Sequence, residues 1–546
     1  MEFFEINNIN LYVAIALSII NGILLLFVGY KFLQILQLSN YKLKGYFLWL
    51  KDTKGRYISR ILMLTLLSTA CMLVTNYLLD TSNVNSLWSY LGLVFYFYFT
   101  SVFIQNLYNA PRKTPLKLTN RMNRLRWGIF ILMAIITFAL IALVTILLPA
   151  YRFAVVALTP TFLILVIPFI NMILTPFEKA NAVRYMLTAK RKLKKMPKLI
   201  KIGITGSVGK TSTKFILNTI LSEKYSVCMS PFSYNTPMGI TKSIIQYLDF
   251  SHQVLITEMG ARFKGDIKEL CKLVEPHYGI LTNVSSQHLQ TFGNFENIKN
   301  TKYELVECIG ENGGLVVFNG ACKAVKELYD KATIDKIIVN SNDKNDFACA
   351  KDIDYSKNGA TFVLAVKNVG EIQCSTRLLG KHNIENIISA VAIAVKLNLT
   401  LQQIQSGINK IQPIEHRLQL INTDNGISIL DDSYNGSVEG AIVAIETLKM
   451  FEGQKIIVTP GLVELGSIEK QENIELGKKI ANVADKVIIV NVAHSLDIKE
   501  GLLSQNFNES NIIQVDSLTS AQNILTKIME KDACVLFYND LPDNYM

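Results

Sequence analysis

Residues 199–212 read Leu-Ile-Lys-Ile-Gly-Ile-Thr-Gly-Ser-Val-Gly-Lys-Thr-Ser. The apolar run Leu199–Ile204 has the makings of a strand, and Thr213–Leu221 those of a helix. Strand, glycine loop and helix in that order are the context a phosphate-binding loop requires. Gly206, Ser207 and Gly209 let backbone N–H groups curl around an anion, and the helix N-terminus at Ser212 adds a favourable dipole. Lys210 is placed to reach the β- and γ-phosphates, and the Thr211 hydroxyl to bind Mg²⁺. The plainer reading is a glycine turn ahead of an ordinary helix. Acidic and histidine candidates downstream favour ATP use.

Upstream of this loop the composition changes. Residues 1–200 hold 22 Lys+Arg against 5 Asp+Glu, and the remainder 33 against 39. The overall net charge of +11 is therefore a property of the first third. There the basic residues flank long apolar runs, a membrane pattern and not one for nucleic acid. Five runs of about bilayer length are visible: Leu11–Leu36, Ile61–Leu79, Leu87–Leu107, Trp127–Leu148 and Phe153–Leu174. Lys and Arg crowd the segments after runs one, three and five, and none lies between runs two and three. That bias predicts a multi-pass protein with its N-terminus outside and everything after run five in the cytoplasm. The basic run Lys190–Lys198 would favour anionic lipid. The eight cysteines show no Cys-x-x-Cys pair or His/Cys cluster and read as free thiols.

From Lys198 onward strand-like and helix-like runs alternate, the mark of α/β architecture with a largely parallel sheet. A second α/β block begins near Ile427, with the join near Pro413–Arg417. The expected organisation is a five-helix membrane domain (1–180), a phosphate-loop ATPase-type central domain (198–412) and a Rossmann-like C-terminal domain (413–546).

Several motifs follow the loop at intervals. Glu258, at the C-terminal end of a strand in Thr257-Glu258-Met259-Gly260, offers a hard oxygen ligand at the sheet edge where ligands bind. Then come Thr282-Asn283, His288, Lys302 on a helix, His382-Asn383 with Asn386, Arg417, and Asp431-Asp432-Ser433-Tyr434-Asn435. With Asn235-Thr236-Pro237-Met238-Gly239, these motifs in this order make residues 198–546 resemble the Mur ligase family, nearest the branch that adds D-alanyl-D-alanine.

The resemblance implies an ATP-dependent, ADP-forming amide ligase that adds an amino acid or a dipeptide such as D-Ala-D-Ala to a peptidoglycan precursor. Its partners would be that precursor peptide, an amine substrate and the bilayer, with no nucleic acid. It assigns Lys210, His288 and Lys302 to catalysis. Thr211, Glu258, His288 and Lys302 go to magnesium, Lys302 as a carbamylated lysine. Asn283 goes to the adenine, and His382 and Asn386 to the nucleotide site. Arg417 and Asp432 would close over ATP from the C-terminal block. Asn235, Thr236, Tyr434 and Asn435 fall to the substrate. Without the resemblance, His288 reads equally as a structural histidine, Lys302 as a helix-surface lysine, and Asp431 as the cap of a turn.

Departures from the family pattern concentrate in the substrate half. Apolar runs stand where the family's UDP-sugar domain would be. The segments Asn435-Gly436-Ser437-Val438, Asn319-Gly320-Ala321-Cys322 and Thr459–Gly466 depart from the family's motifs. A second expectation is therefore the same chemistry on another, lipid-linked, carboxylate. A transport ATPase is a third, disfavoured because the apolar runs carry almost no ionisable residue.

Overall fold

In the computed structural model of the chain, the run ahead of the phosphate loop is a strand, β1 (Ile200–Thr205), and the helix after it starts at Lys210 and ends at Leu221. The structure describes residues 11–39, 41–53, 55–78, 91–109, 115–148, 151, 153–341, 346–423, 425–434, 436–490 and 495–539. It separates into two compact units, Met1–Asn181 and Ala182–Leu541, between which the helix Thr159–Lys194 is divided in sequence.

In the second unit β1 lies at the middle of a six-stranded parallel sheet with β2 (Val227–Met229), β3 (Val254–Glu258), β4 (Tyr278–Leu281), β5 (Leu315–Asn319) and β6 (Asp335–Val339), in the order β2-β3-β1-β4-β5-β6. Both faces are covered, as a parallel sheet requires. Ile202, Ile204, Val254, Ile256, Ile280 and Val317 point into one core, against the helices Lys210–Leu221, Lys381–Lys396 and Leu401–Asn409. Leu255, Leu281, Val316 and Phe318 point into the other. Gly203 faces that second core. A Cβ there would stand 3.0 Å from the Leu305 Cδ1 and 3.1 Å from the Met259 Cε, a tight fit against that core.

An antiparallel three-stranded sheet follows: β7 (Ala348–Ser356), β8 (Gly359–Val366) and β9 (Gly370–Thr376). The α/β reading did not anticipate it, although Asn358-Gly359, at the turn into β8, is a hairpin signal. The last sheet has the order β10-β11-β15-β12-β13-β14. Its strands are β10 (Gln419–Asn422), β11 (Ser428–Asp432), β12 (Lys455–Thr459), β13 (Lys486–Val490), β14 (Ile512–Val515) and β15 (Cys534–Tyr538). Only β10 runs antiparallel. The three- and six-stranded sheets lie on either side of the expected join at 412/413.

Among the described residues five helices are long and apolar enough to cross a membrane. The first expected run, Leu11–Leu36, is two helices, Leu11–Val28 and Tyr30–Leu38, interrupted at Gly29. Buried Asn21 ties the first unit together. It accepts from Tyr96 Oη at 2.7 Å and donates to Thr137 at 3.0 Å and Thr159 at 2.9 Å. Arg124 forks onto Glu178 at 2.7 and 2.9 Å. The basic run after it is partly engaged within the second unit. Lys190 pairs with Glu275 at 2.9 Å, and Lys192 donates to the carbonyls of Ile245 and Leu248. None of the eight cysteines is in a disulfide.

Candidate active site

The loop Gly206–Gly209 sits at the C-terminal edge of the central sheet, where β1 lies between β3 and β4. Gly206 (φ +154°) and Gly209 (φ +87°) take backbone conformations that other residues avoid. A Cβ on Gly206 would lie 2.1 Å from Thr282 Oγ1, and one on Gly209 2.8 Å from Asn386 Oδ1. The neighbours that forbid a side chain also brace the loop. Thr282 donates to the Val208 carbonyl at 2.6 Å, Ser207 N–H donates to Asn283 O at 2.6 Å, and Ser285 N–H donates to Ser207 Oγ at 3.1 Å. Asn386 accepts from Thr213 at 3.1 Å beneath the same helix start. Ser212 is buried in its first turn.

Lys210 folds back over the loop, donating to the carbonyls of Gly206 at 2.9 Å and Ser207 at 2.8 Å. Burial pulls its pKa down to about 8, with the Glu258 carboxylate opposing. Thr211 donates to Glu258 at 2.9 Å, and Asn235 donates to the other oxygen of that carboxylate at 3.1 Å. Thr211 and Glu258 thus bring a hydroxyl and a carboxylate together at a helix N-terminus, the hard-oxygen donor set that suits Mg²⁺. The Asn283 Oδ1 is buried with no hydrogen-bond partner. His382 Nδ1 is likewise unpartnered, and burial lowers that ring's pKa to about 4, so it is neutral near pH 7.

Lys302 is 3 % exposed, which overturns the reading of a helix-surface lysine. Burial first, and Lys210 second, bring its pKa down to about 7, against Asp266, Glu304 and Glu258. His288 does not stand alone. Its Nδ1 is hydrogen-bonded to Glu464 of the C-terminal block, and burial lowers the pKa of the ring. Among the described residues no three His, Cys, Asp or Glu side chains gather into a metal-binding group.

Residues after the join reach the loop. Arg417 Nη2 lies 3.5 Å from Thr211 Oγ1, and its guanidinium stacks 4.2 Å over the Tyr434 ring. Tyr434 Oη donates to Ser233. Asp432 accepts from Leu418 N–H at 3.1 Å, and burial raises its pKa to about 6 against the pull of Arg417. Asp431 holds the Ser433 N–H at 3.1 Å and hydroxyl at 2.6 Å, so it does cap the turn. Two expected substrate residues are otherwise engaged. Asn235 braces Glu258, and Thr236 caps the helix Pro237–Gln246 by accepting from Gly239 N–H at 3.2 Å. Asn435 lies outside the described residues.

Sequence reasoning missed Lys214. Its side chain is fully buried, 3.5 Å from Glu258 and hydrogen-bonded to the Phe232 carbonyl. The signal was present: Lys214 follows Lys210 by four residues on one helix and so shares its face. Glu464 lies in Thr459–Gly466, where Glu464-Leu465-Gly466 keep the end of the family's motif, but nothing in the sequence names its partner, 176 residues away.

Residues 204–394 match the family model described as the Mur ligase middle domain, and residues 416–538 the one described as the Mur ligase, glutamate ligase domain. The chain is 30% identical over 281 residues to the UDP-N-acetylmuramoyl-tripeptide–D-alanyl-D-alanine ligase of Buchnera aphidicola, which covers 52% of this chain and 60% of that one. It is 29% identical over 283 residues to the enzyme of that name from Bacillus subtilis, covering 51% and 60%. The chain therefore spans about 60% of the length of these relatives. Among solved structures, MurF from Thermotoga maritima in complex with ADP matches at TM-score 0.56 and 26% identity, over 66% of this chain and 80% of that one. MurF from Acinetobacter baumannii shares the fold at TM-score 0.59 and 24% identity, over 66% and 77%.

Proposed function

This chain belongs to the Mur ligase family, and we propose that it is an ATP-dependent, ADP-forming ligase that joins a carboxylate of a peptidoglycan precursor to an amine, D-Ala-D-Ala first among candidates. The observation that carries the reading is the single cluster of Lys210, Thr211, Glu258 and Arg417, a phosphate-binding loop with hard oxygen donors and two cations around it.

The reaction has two steps. The substrate carboxylate attacks the γ-phosphorus, the bond to the β-bridging oxygen breaks, and ADP leaves an acyl phosphate behind. The amine then attacks the acyl carbon, inorganic phosphate departs, and the ammonium proton is lost as the amide forms. The loop's N–H groups, Lys210 and Arg417 hold the phosphates and offset the charge that spreads over the transferring group. Mg²⁺ held by Thr211 and Glu258 would neutralise phosphate oxygens further. His288 and a carbamylated Lys302 would hold a second ion. A neutral amine is the nucleophile that adds to the carbon of carbon dioxide, losing a proton as the carbamate forms, and a lysine brought to about 7 supplies it near neutral pH. Asn283 and His382 present buried polar atoms without partners, which suits nucleotide contacts.

The test is ADP release by the full-length protein against carboxylate and amine pairs, with product mass. ADP release that depends on both substrates, with a product lighter than their sum by one water, supports the ligase. ATP hydrolysis indifferent to both would overturn it.

A second reading keeps the chemistry and changes the acceptor. The five candidate spans in the same chain favour an inner-membrane protein whose carboxylate substrate is lipid-linked. Anchored substrate and anchored enzyme meet at raised effective concentration. Faster turnover of a lipid-linked than of a UDP-linked precursor peptide would select it.

A further inference from the structure

Two non-glycine residues in left-handed backbone conformations face each other beside the phosphate loop, His288 (φ +62°) and Glu464 (φ +64°). Such conformations are uncommon outside glycine and are held only where surrounding contacts enforce them. The contacts here join the two. His288 Nδ1 meets Glu464 Oε2, and Gln290 N–H reaches the Glu464 carbonyl at 3.4 Å. The other carboxylate oxygen lies 3.8 Å from the Arg262 guanidinium. His288 belongs to the central block and Glu464 to the segment after β12, so the histidine is held from outside its own domain.

An ionised carboxylate only accepts hydrogen bonds, so Nδ1 must carry the ring proton and Nε2 the lone pair. An imidazole whose second nitrogen is fixed in this way by a carboxylate is the usual arrangement of a metal-binding histidine. We propose that Glu464 is a positioning residue: it sets the tautomer and orientation of His288, so that Nε2 is ready for a divalent ion only when the C-terminal block is docked. This rests on the reading of His288 as a metal ligand.

The test uses the full-length protein with Mn²⁺ and ADP, followed by pulsed electron paramagnetic resonance. Nitrogen-14 modulation from an imidazole on Mn²⁺ is expected in the unmodified protein and lost in His288→Ala. Its absence from the unmodified protein overturns the metal reading and this inference with it. Glu464→Ala should lose the modulation and raise the Mn²⁺ concentration for half-occupancy by about tenfold or more. Glu464→Gln should retain the modulation, because its amide oxygen still accepts from Nδ1. Modulation unchanged in Glu464→Ala, or lost in Glu464→Gln, overturns the positioning role.

Discussion

Lys302 shows what burial does to one side chain. Its sequence neighbours look like those of any amphipathic helix, yet its ammonium sits at 3 % exposure beside a second cation. With a pKa of about 7 the amine is mostly neutral at pH 8 and mostly protonated at pH 6. At fixed dissolved carbon dioxide, formation of the proposed carbamate should therefore be about tenfold faster at pH 8 than at pH 6. Carbon-13 NMR of protein exposed to labelled carbon dioxide reads this directly. No carbamate signal at pH 8, or an equal signal in Lys302→Arg, would remove it. Lys214 makes the complementary case. Its cation is fully buried against Glu258, and a buried pair broken on one side leaves an uncompensated charge. Lys214→Met should destabilise the second unit by about 3–5 kcal/mol. Urea-dependent proteolysis of the full chain measures it, and a loss below about 1 kcal/mol would mean water or another group replaces the lysine.

At the scale of elements, the loop between β1 and the helix Lys210–Leu221 is braced from three sides, by Thr282, Asn283 and Asn386. Its glycines are required both by backbone angle and by space. Gly206→Ala would set a carbon 2.1 Å from Thr282 Oγ1 and 2.9 Å from the Asn283 carbonyl, the second of which is backbone and cannot swing away. The loop must open to admit it. Affinity for ADP, measured by calorimetry, should fall at least tenfold while the protein stays folded. Unchanged affinity would mean that the loop geometry does not govern nucleotide binding. Thr236 and Asn235 carry the opposite lesson. Both belong to a segment the family resemblance assigns to substrate, and both side chains are engaged in holding structure, a helix cap and the Glu258 carboxylate.

At the scale of the whole chain, two units with different surfaces are joined in one sequence. Exposed Leu, Ile, Phe and Val side chains cover the long helices of the first unit, as lipid contact would require. Lys117 follows the third candidate span, in the segment whose positive charge sets the proposed cytoplasmic orientation. A Lys117→Cys variant in intact cells should resist a membrane-impermeant thiol reagent and react once the membrane is permeabilised. Labelling in intact cells would reverse the orientation and put the ATP site on the wrong side.

The phosphate loop, the parallel α/β alternation and the long apolar helices are legible in the chain before it folds. Each is written in contiguous residues: glycine spacing, strand and helix period, and apolar length are local properties that the backbone obeys wherever the segment sits. How deeply each charge is buried, and which distant side chains meet, came only with the packed fold. Residue type alone reads Lys302 as a surface lysine, and burial in the fold brings its pKa down to about 7. His288 and Glu464 lie 176 residues apart in the chain and meet only in the fold. Helical period places Lys214 beside Lys210 and Lys302 beside Ile298 and Leu305, but the depth of desolvation and the long-range partners are set by packing.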